Sequence, residues 1–173
     1  MSEFSSHAGS RKQPAREIGN SRSRSLVSGI LFGVGCIAFI DEVVFHQLLH
    51  WHHFYDLSTT GAGLVSDGLL HAFSWFASVA SLFMLADLRR KRAWFRSRWI
   101  GGVLLGAGFF QLYDGIVHHK LMQIHQIRYG VDLTAYDWSW NIAGALLLIA
   151  GIIMTIRTGR EKTESREGAS ARE

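Results

Sequence analysis

GILFGVGCIAFIDEVVFHQLLHWH, residues 29–52, starts as an apolar helix and ends as a row of ionisable side chains. The same change of character recurs in GVLLGAGFFQLYDGIVHHKLMQIH, residues 102–125. Aligned at a constant spacing of 73 positions, Gly29, Gly33, Gly35, Asp41, Val44, His46, Leu48 and His52 match Gly102, Gly106, Gly108, Asp114, Val117, His119, Leu121 and His125. Matching glycines and leucines are common in apolar helices. Matching Asp and His residues are not, because carboxylates and imidazoles are costly and rare inside a bilayer. The two stretches therefore read as repeats of one membrane helix carrying polar groups near one end.

Two further apolar segments follow the repeats, over 61–86 and 138–156. With 26–49 and 99–122 they make four segments, each near the roughly 20 residues needed to cross hydrocarbon. The second and fourth match more weakly, Asp67-x3-His71 against Asp137-x3-Asn141. The expectation is an all-α integral membrane four-helix bundle, built as two tandem hairpins about a pseudo-twofold axis along the membrane normal. Gly29-x3-Gly33 and Gly102-x3-Gly106 place small residues one turn apart, where two helices can approach closely. Residues 1–24 and 158–173 are polar and lack an apolar period, and are expected to be disordered around a transmembrane domain over 25–157. The N-terminal stretch does not read as a cleaved signal: its polar part is long and no A-x-A site follows promptly.

Composition agrees. Of 173 residues, 48% are hydrophobic and 18% charged. One cysteine and one proline exclude a disulfide framework, a cysteine zinc finger and a collagen-like chain. Cys36 reads as a packing residue. The net charge of +4 does not point to nucleic acid, because the basic residues sit between apolar segments rather than in a stripe. Arg11, Lys12, Arg16, Arg22 and Arg24, the Arg89–Arg98 loop, and Arg157 to Arg172 all fall on one side; the other has only Lys120 and Arg128. The positive-inside rule then places both termini in the cytoplasm, with the 49–61 and 122–138 connections outside. Trp51, Tyr55, Tyr129, Tyr136 and Trp138 mark the outer interface, Trp94 and Trp99 the inner one.

Eight of the nine histidines fall between His46 and His125, all toward the outer end. Asp41, Glu42, Asp67 and Asp114 lie at similar depth, with Asp137 at the outer end of the fourth helix. Several carboxylates at one depth need a shared compensation, and bound cations would supply it. Neutral imidazole with carboxylate suits copper, zinc or iron, copper first for a His-rich site facing outward. The candidate ligands are Asp41, His46, His52, His53, Asp67, His71, Asp114, His118, His119 and His125, with Asp137 and Asn141 available to complete the ring. Asp67 and His71 share a helix face, as do Asp114 and His118. Glu42, His46, His50 and His53 form another stripe, in which His50 and His53 also read as interfacial residues. Asp41 and His46 diverge on an ideal helix, as do Asp114 and His119: either the members of each pair contact different neighbours in the bundle, or the helices unwind near His46 and His119.

Four functions remain open at this level. One is a metal protein for metal handling, respiratory enzyme assembly or redox chemistry. The others are a metal-dependent hydrolase with Glu42 or Asp41 as base, a b-type cytochrome, and a proton or ion pathway. Haem is the weaker cofactor expectation, since so many carboxylates accompany the histidines. The partner implied throughout is the lipid bilayer; a homo-oligomer or a complex with other membrane or respiratory proteins is also open.

The strings DEVVFHQLLHWHH, DGLLHAFSW and YDGIVHHKLMQIH resemble a family of bacterial predicted membrane proteins, domain of unknown function 2243, over about residues 28–157. The resemblance implies a four-helix inner-membrane protein. It carries the family pattern onto His46, His52, His53, Asp67, His71, His119 and His125. The chain departs from the pattern at Glu42, where glycine is frequent, and at Gln126, where a second histidine is common.

Overall fold

A computed structural model describes the backbone of residues 12–170 and the side chains of 16–159. The described residues are helical apart from turns and short loops. The order is α1 (Lys12–Asp41), a wide π-helical turn π1 (Glu42–Leu48), α2 (Thr60–Arg90), α3 (Arg96–Tyr113), a second wide turn π2 (Asp114–Met122) and α4 (Thr134–Ser170). Four stretches are long and apolar enough to cross a membrane: Arg16–Leu48, Thr60–Arg90, Arg96–Met122 and Thr134–Gly159. These are the four expected segments, within a few residues at most ends.

Helix α1 begins at Lys12, well before Leu26, and α4 runs on to Ser170. A formed helix extends into polar sequence cheaply, because each added residue gains a hydrogen bond without a new nucleation cost. Pro14 falls in the first turn of α1, where a missing N–H costs nothing. Expectations for residues 1–11 and 171–173 lie outside the described residues.

Helices α1 and α3 form the central pair; α2 packs on α1 and α4 on α3, and α2 and α4 do not touch. The glycines set this arrangement. A Cβ at Gly29 would overlap the carbonyl of Trp99, and one at Gly102 the carbonyl of Leu26. Likewise Gly33 faces the carbonyl of Val103, and Gly106 that of Ile30. These contacts are reciprocal: each glycine meets the repeat equivalent of the residue that its own counterpart meets. Gly35 seats α2 at Ser74 and Ser78, and Gly108 seats α4 at Gly144 and Leu148. Small residues thus replace the large apolar core of a soluble bundle, as they do where lipid removes the hydrophobic drive between helices. The buried apolar cluster is small: Ala38, Leu70 and Phe110. Large apolar side chains such as Phe76, Phe83, Leu146 and Ile156 point outward instead.

The end of the bundle near Trp94 and Trp99 is tied by polar contacts. Arg22 donates to the carbonyl of Thr158 and Arg98 to that of Thr155, while Asp87 receives Arg24, Arg90 and Lys91. The opposite end is shaped by π1 and π2. Each widened turn closes with a residue in the left-handed region, His50 (φ 50) and Gln123 (φ 53). Each is followed by matching backbone bonds, Trp51 N–H to Phe45 O at 2.9 Å and Ile124 N–H to His118 O at 3.1 Å. The polar loops 49–59 and 123–133 then fold back over the bundle end.

Candidate metal centre

The widened turns do what an ideal helix cannot. Residues five apart lie about 140° apart around an α-helix. The i→i+5 pattern of a π turn rotates them toward each other. His46 Nε2 consequently lies 3.8 Å from Asp41 Oδ2, and His119 Nε2 3.1 Å from Asp114 Oδ2. The loops supply two more rings. His52 and His125 stack with centroids 4.7 Å apart and planes 4° apart. His46 stands edge-on to His52 at 4.5 Å, and His119 edge-on to His125 at 4.7 Å. Four imidazoles therefore pack in the order His46–His52–His125–His119, with Asp41 beside His46 and His52 and Asp114 beside His119 and His125.

The hydrogen bonds fix the tautomers. His52 Nδ1 lies 2.9 Å from the carbonyl of Ile127, and His125 Nδ1 2.9 Å from that of Phe54. A carbonyl only accepts, so both Nδ1 atoms carry a proton, and on a neutral ring Nε2 keeps its lone pair; His125 Nε2 lies 3.5 Å from Asp114 Oδ1. The two bonds are exchanged between the repeats, each histidine reaching the residue two beyond its counterpart. His46 Nδ1 donates to Glu42 Oε2 at 2.8 Å and lies 3.1 Å from Asp67 Oδ1, which leaves its Nε2 bare in the same way. The Nε2 atoms of His46, His52 and His125, both ring nitrogens of His119, Asp41 Oδ2 and Asp114 Oδ2 are buried with no hydrogen-bond partner. Burial, then the nearby rings of His46, His125 and His119, push the loop residue His52 down to about 2, so its ring is neutral.

Asp41, Glu42, Asp67 and Asp114 are each only 1–2% exposed, and no Lys or Arg among the described residues pairs with them. Asp67 accepts the backbone N–H of Phe54 at 2.7 Å and faces His53 Nδ1 at 2.6 Å. Glu42 also accepts Gln47 Nε2 at 2.8 Å. Three sets of donor atoms lie within 4.8 Å of one another: His52, His119 and His125; Asp41, His46 and His52; and Glu42, His46 and Asp67.

Seven of the expected residues thus meet: Asp41, His46, His52, Asp67, Asp114, His119 and His125. The others are placed differently. His71 is exposed and lies against Phe39, 5.5 Å between rings, so the expected Asp67–His71 pair does not form. The buried face of α2 runs through Gly63, Asp67, Leu70, Ser74, Ser81 and Leu88, and His71 falls one position beside that seam. His53 and His118 stand one bond out: His53 holds Asp67, and His118 Nδ1 holds Asp114 Oδ1 at 2.9 Å. Asp137 pairs with Lys120 and Asn141 donates to the Asp137 carbonyl, so neither closes a ring around the cluster. His50 is exposed, as an interfacial residue would be. The residue missing from the expected ligand set is Glu42. Its signal was the four-residue spacing to His46 on the Glu42–His53 stripe, and its position has no acidic counterpart in the repeat, where Gly115 stands.

No curated protein and no solved structure matches this chain. Its four apolar helices agree with the family model that does match: over residues 28–158 the chain belongs to the family described as Predicted membrane protein (DUF2243).

Proposed function

We propose that this membrane protein holds transition-metal ions in the Asp/His centre at one end of its bundle, with copper preferred over zinc and iron. One observation carries the reading. His46, His52 and His125 each anchor Nδ1–H on an outer acceptor and present a bare, buried Nε2 to a common interior. This is the arrangement by which carboxylates and carbonyls orient metal-binding imidazoles, fixing ring and tautomer before the ion arrives. A hydrogen-bonded network built for its own sake would pair those nitrogens, since an unpaired buried polar atom costs about 1–3 kcal/mol. The imidazole-rich donor set favours copper, and the carboxylates keep zinc and iron competitive. Rings packed directly against one another, with centroids 4.5–4.7 Å apart, leave no slot for a porphyrin plane, which favours ions over haem. Metal handling, assembly of a respiratory enzyme and redox chemistry are all compatible with such a site.

The test is elemental analysis of the full chain purified in mild detergent without a histidine tag, then dialysed against a weak chelator. At least one equivalent of copper, zinc or iron is expected. Less than a tenth of an equivalent of each, after offering each in turn, sinks the reading in favour of a structural or proton-conducting network.

The same proposal places the centre on the outer side of a cytoplasmic membrane, with the two hairpins related about the membrane normal. Reciprocal glycine, loop and histidine contacts between the halves support the second point. Arg22, Arg24, the Arg89–Arg98 loop and Arg157, all at the far end from the cluster, support the first. A cytoplasmic reporter fused after Arg172 should be active, and an external reporter inserted near Asp56 should be active. The opposite pattern reverses the orientation.

A further inference from the structure

Two lateral cavities flank the cluster, and the repeat relates them. One, of about 420 Å³, is lined in part by Phe45, Ile127, Ser139, Trp140 and Ala143. The other, of about 460 Å³, is lined by His118, Phe54, Leu69, Leu70 and Phe73 at the equivalent positions, with Phe109, Phe110 and Tyr113 beside them. The scaffold thus builds the same recess twice but furnishes it differently. The first recess has Phe45 where the second has His118. An imidazole is therefore not required to shape such a recess.

The chemistry of the second recess is specific. Phe54, Phe73, Phe109, Phe110 and Tyr113 make most of its wall aromatic. His118 is its one imidazole, packed edge-on against Tyr113 at 4.9 Å and Phe54 at 5.2 Å. The His118 Nδ1–H is already committed to Asp114 Oδ1. The nitrogen left over, Nε2, is an acceptor. A partner must therefore bring a donor, such as a hydroxyl, on an otherwise apolar body. A cavity of a few hundred Å³ with aromatic walls and one orienting polar group has the usual make-up of a small-molecule site. Lipid acyl chains carry no donor at this position, and a quinone carbonyl offers only another acceptor.

We propose that this recess binds a membrane-soluble hydroxyaromatic of the quinol or phenol class. Its ring lies among Phe54, Phe73, Phe109 and Phe110, and its hydroxyl donates to His118 Nε2. The bound hydroxyl is then linked through His118 to Asp114, beside His119 and His125. The inference stands on the cavity and on His118, and does not require that a metal be bound.

The probe is tetramethylhydroquinone, measured by equilibrium dialysis under argon. It is offered to the protein as purified, in nanodiscs of defined lipid free of quinone, with empty discs subtracted; metal content is determined separately. One saturable site is expected. The dimethyl ether of the probe, which fills the same space without a donor, should bind at least tenfold more weakly. His118→Phe, which installs the residue of the first recess, should lose at least tenfold for the hydroquinone and leave the ether unchanged. Equal binding of hydroquinone and ether by the wild-type protein overturns the proposal and makes the recess a lipid-filled groove. So does the absence of saturable binding. The wild-type comparison decides even if His118→Phe fails to fold. Because no ion is needed, a metal-free protein that binds the probe, or a metal-loaded one that does not, separates this inference from the metal reading.

Discussion

Alanine at both His52 and His125 is expected to abolish stoichiometric metal, lowering affinity by a hundredfold or more, while the four helices stay formed and inserted. Both residues lie in the loops outside the helices, so their loss removes no helical hydrogen bond. What it does remove is the middle of the imidazole row: the stacked pair that lies between His46 and His119. Loss of an outer partner alone typically costs 10–100-fold in metal affinity, and these two rings present the bare nitrogens themselves. His71→Ala is the matched control. The exposed His71 ring is outside the cluster, so this variant should keep its full metal content. Elemental analysis gives the metal, and circular dichroism with gel filtration gives the fold. Full metal in the double variant, or its loss in His71→Ala, would show that the ions sit elsewhere.

The contrast between His52 and His71 shows where a sequence stops being readable. Both looked like ligands, and His71 had the better local argument, sitting four residues from Asp67 on one helix. That argument is sound about the helix and silent about its neighbours. Helix α2 touches α1 but not α4, so its buried seam is narrow, and one position to the side is already lipid-facing. Asp67 turns instead to His46 of π1, and to His53 and the Phe54 N–H, which the following loop brings. The anchoring of His52 and His125 was equally hidden, because the acceptors are main-chain carbonyls with no residue signature. The spans and the repeat were legible for the opposite reason. Length, hydropathy and the rarity of Asp and His in hydrocarbon are properties of the chain itself. The π turns were half legible. Matching Asp and His residues that diverge on an ideal helix required either different neighbours or a local unwinding, and a widened π turn is what forms.

That repeat geometry also bears on how many ions the centre holds, and two are expected, one in each half. Asp41 with His46, and Asp114 with His119, belong to opposite halves, and among the described residues no set of mutually close donor atoms contains both His46 and His119. A single ion would therefore leave one half unserved. Charge points the same way. Asp41, Glu42, Asp67 and Asp114 carry up to four negative charges with no Lys or Arg among the described residues paired with them, and two divalent ions balance four. The need is real: at an effective dielectric of about 20, two like charges 4 Å apart still repel by about 4 kcal/mol. The wild-type protein should bind two equivalents. Asp41→Asn with His46→Ala should bind one, and so should Asp114→Asn with His119→Ala; combining all four substitutions should leave none. The Asn substitutions keep size and hydrogen-bonding capacity, so a loss confined to one equivalent reads out the ion rather than the fold. If the wild-type protein saturates at one equivalent and either half-variant falls to zero, the row holds a single shared ion and protons balance the remaining charge. Two equivalents retained in both half-variants would instead place the ions outside the Asp/His pairs altogether.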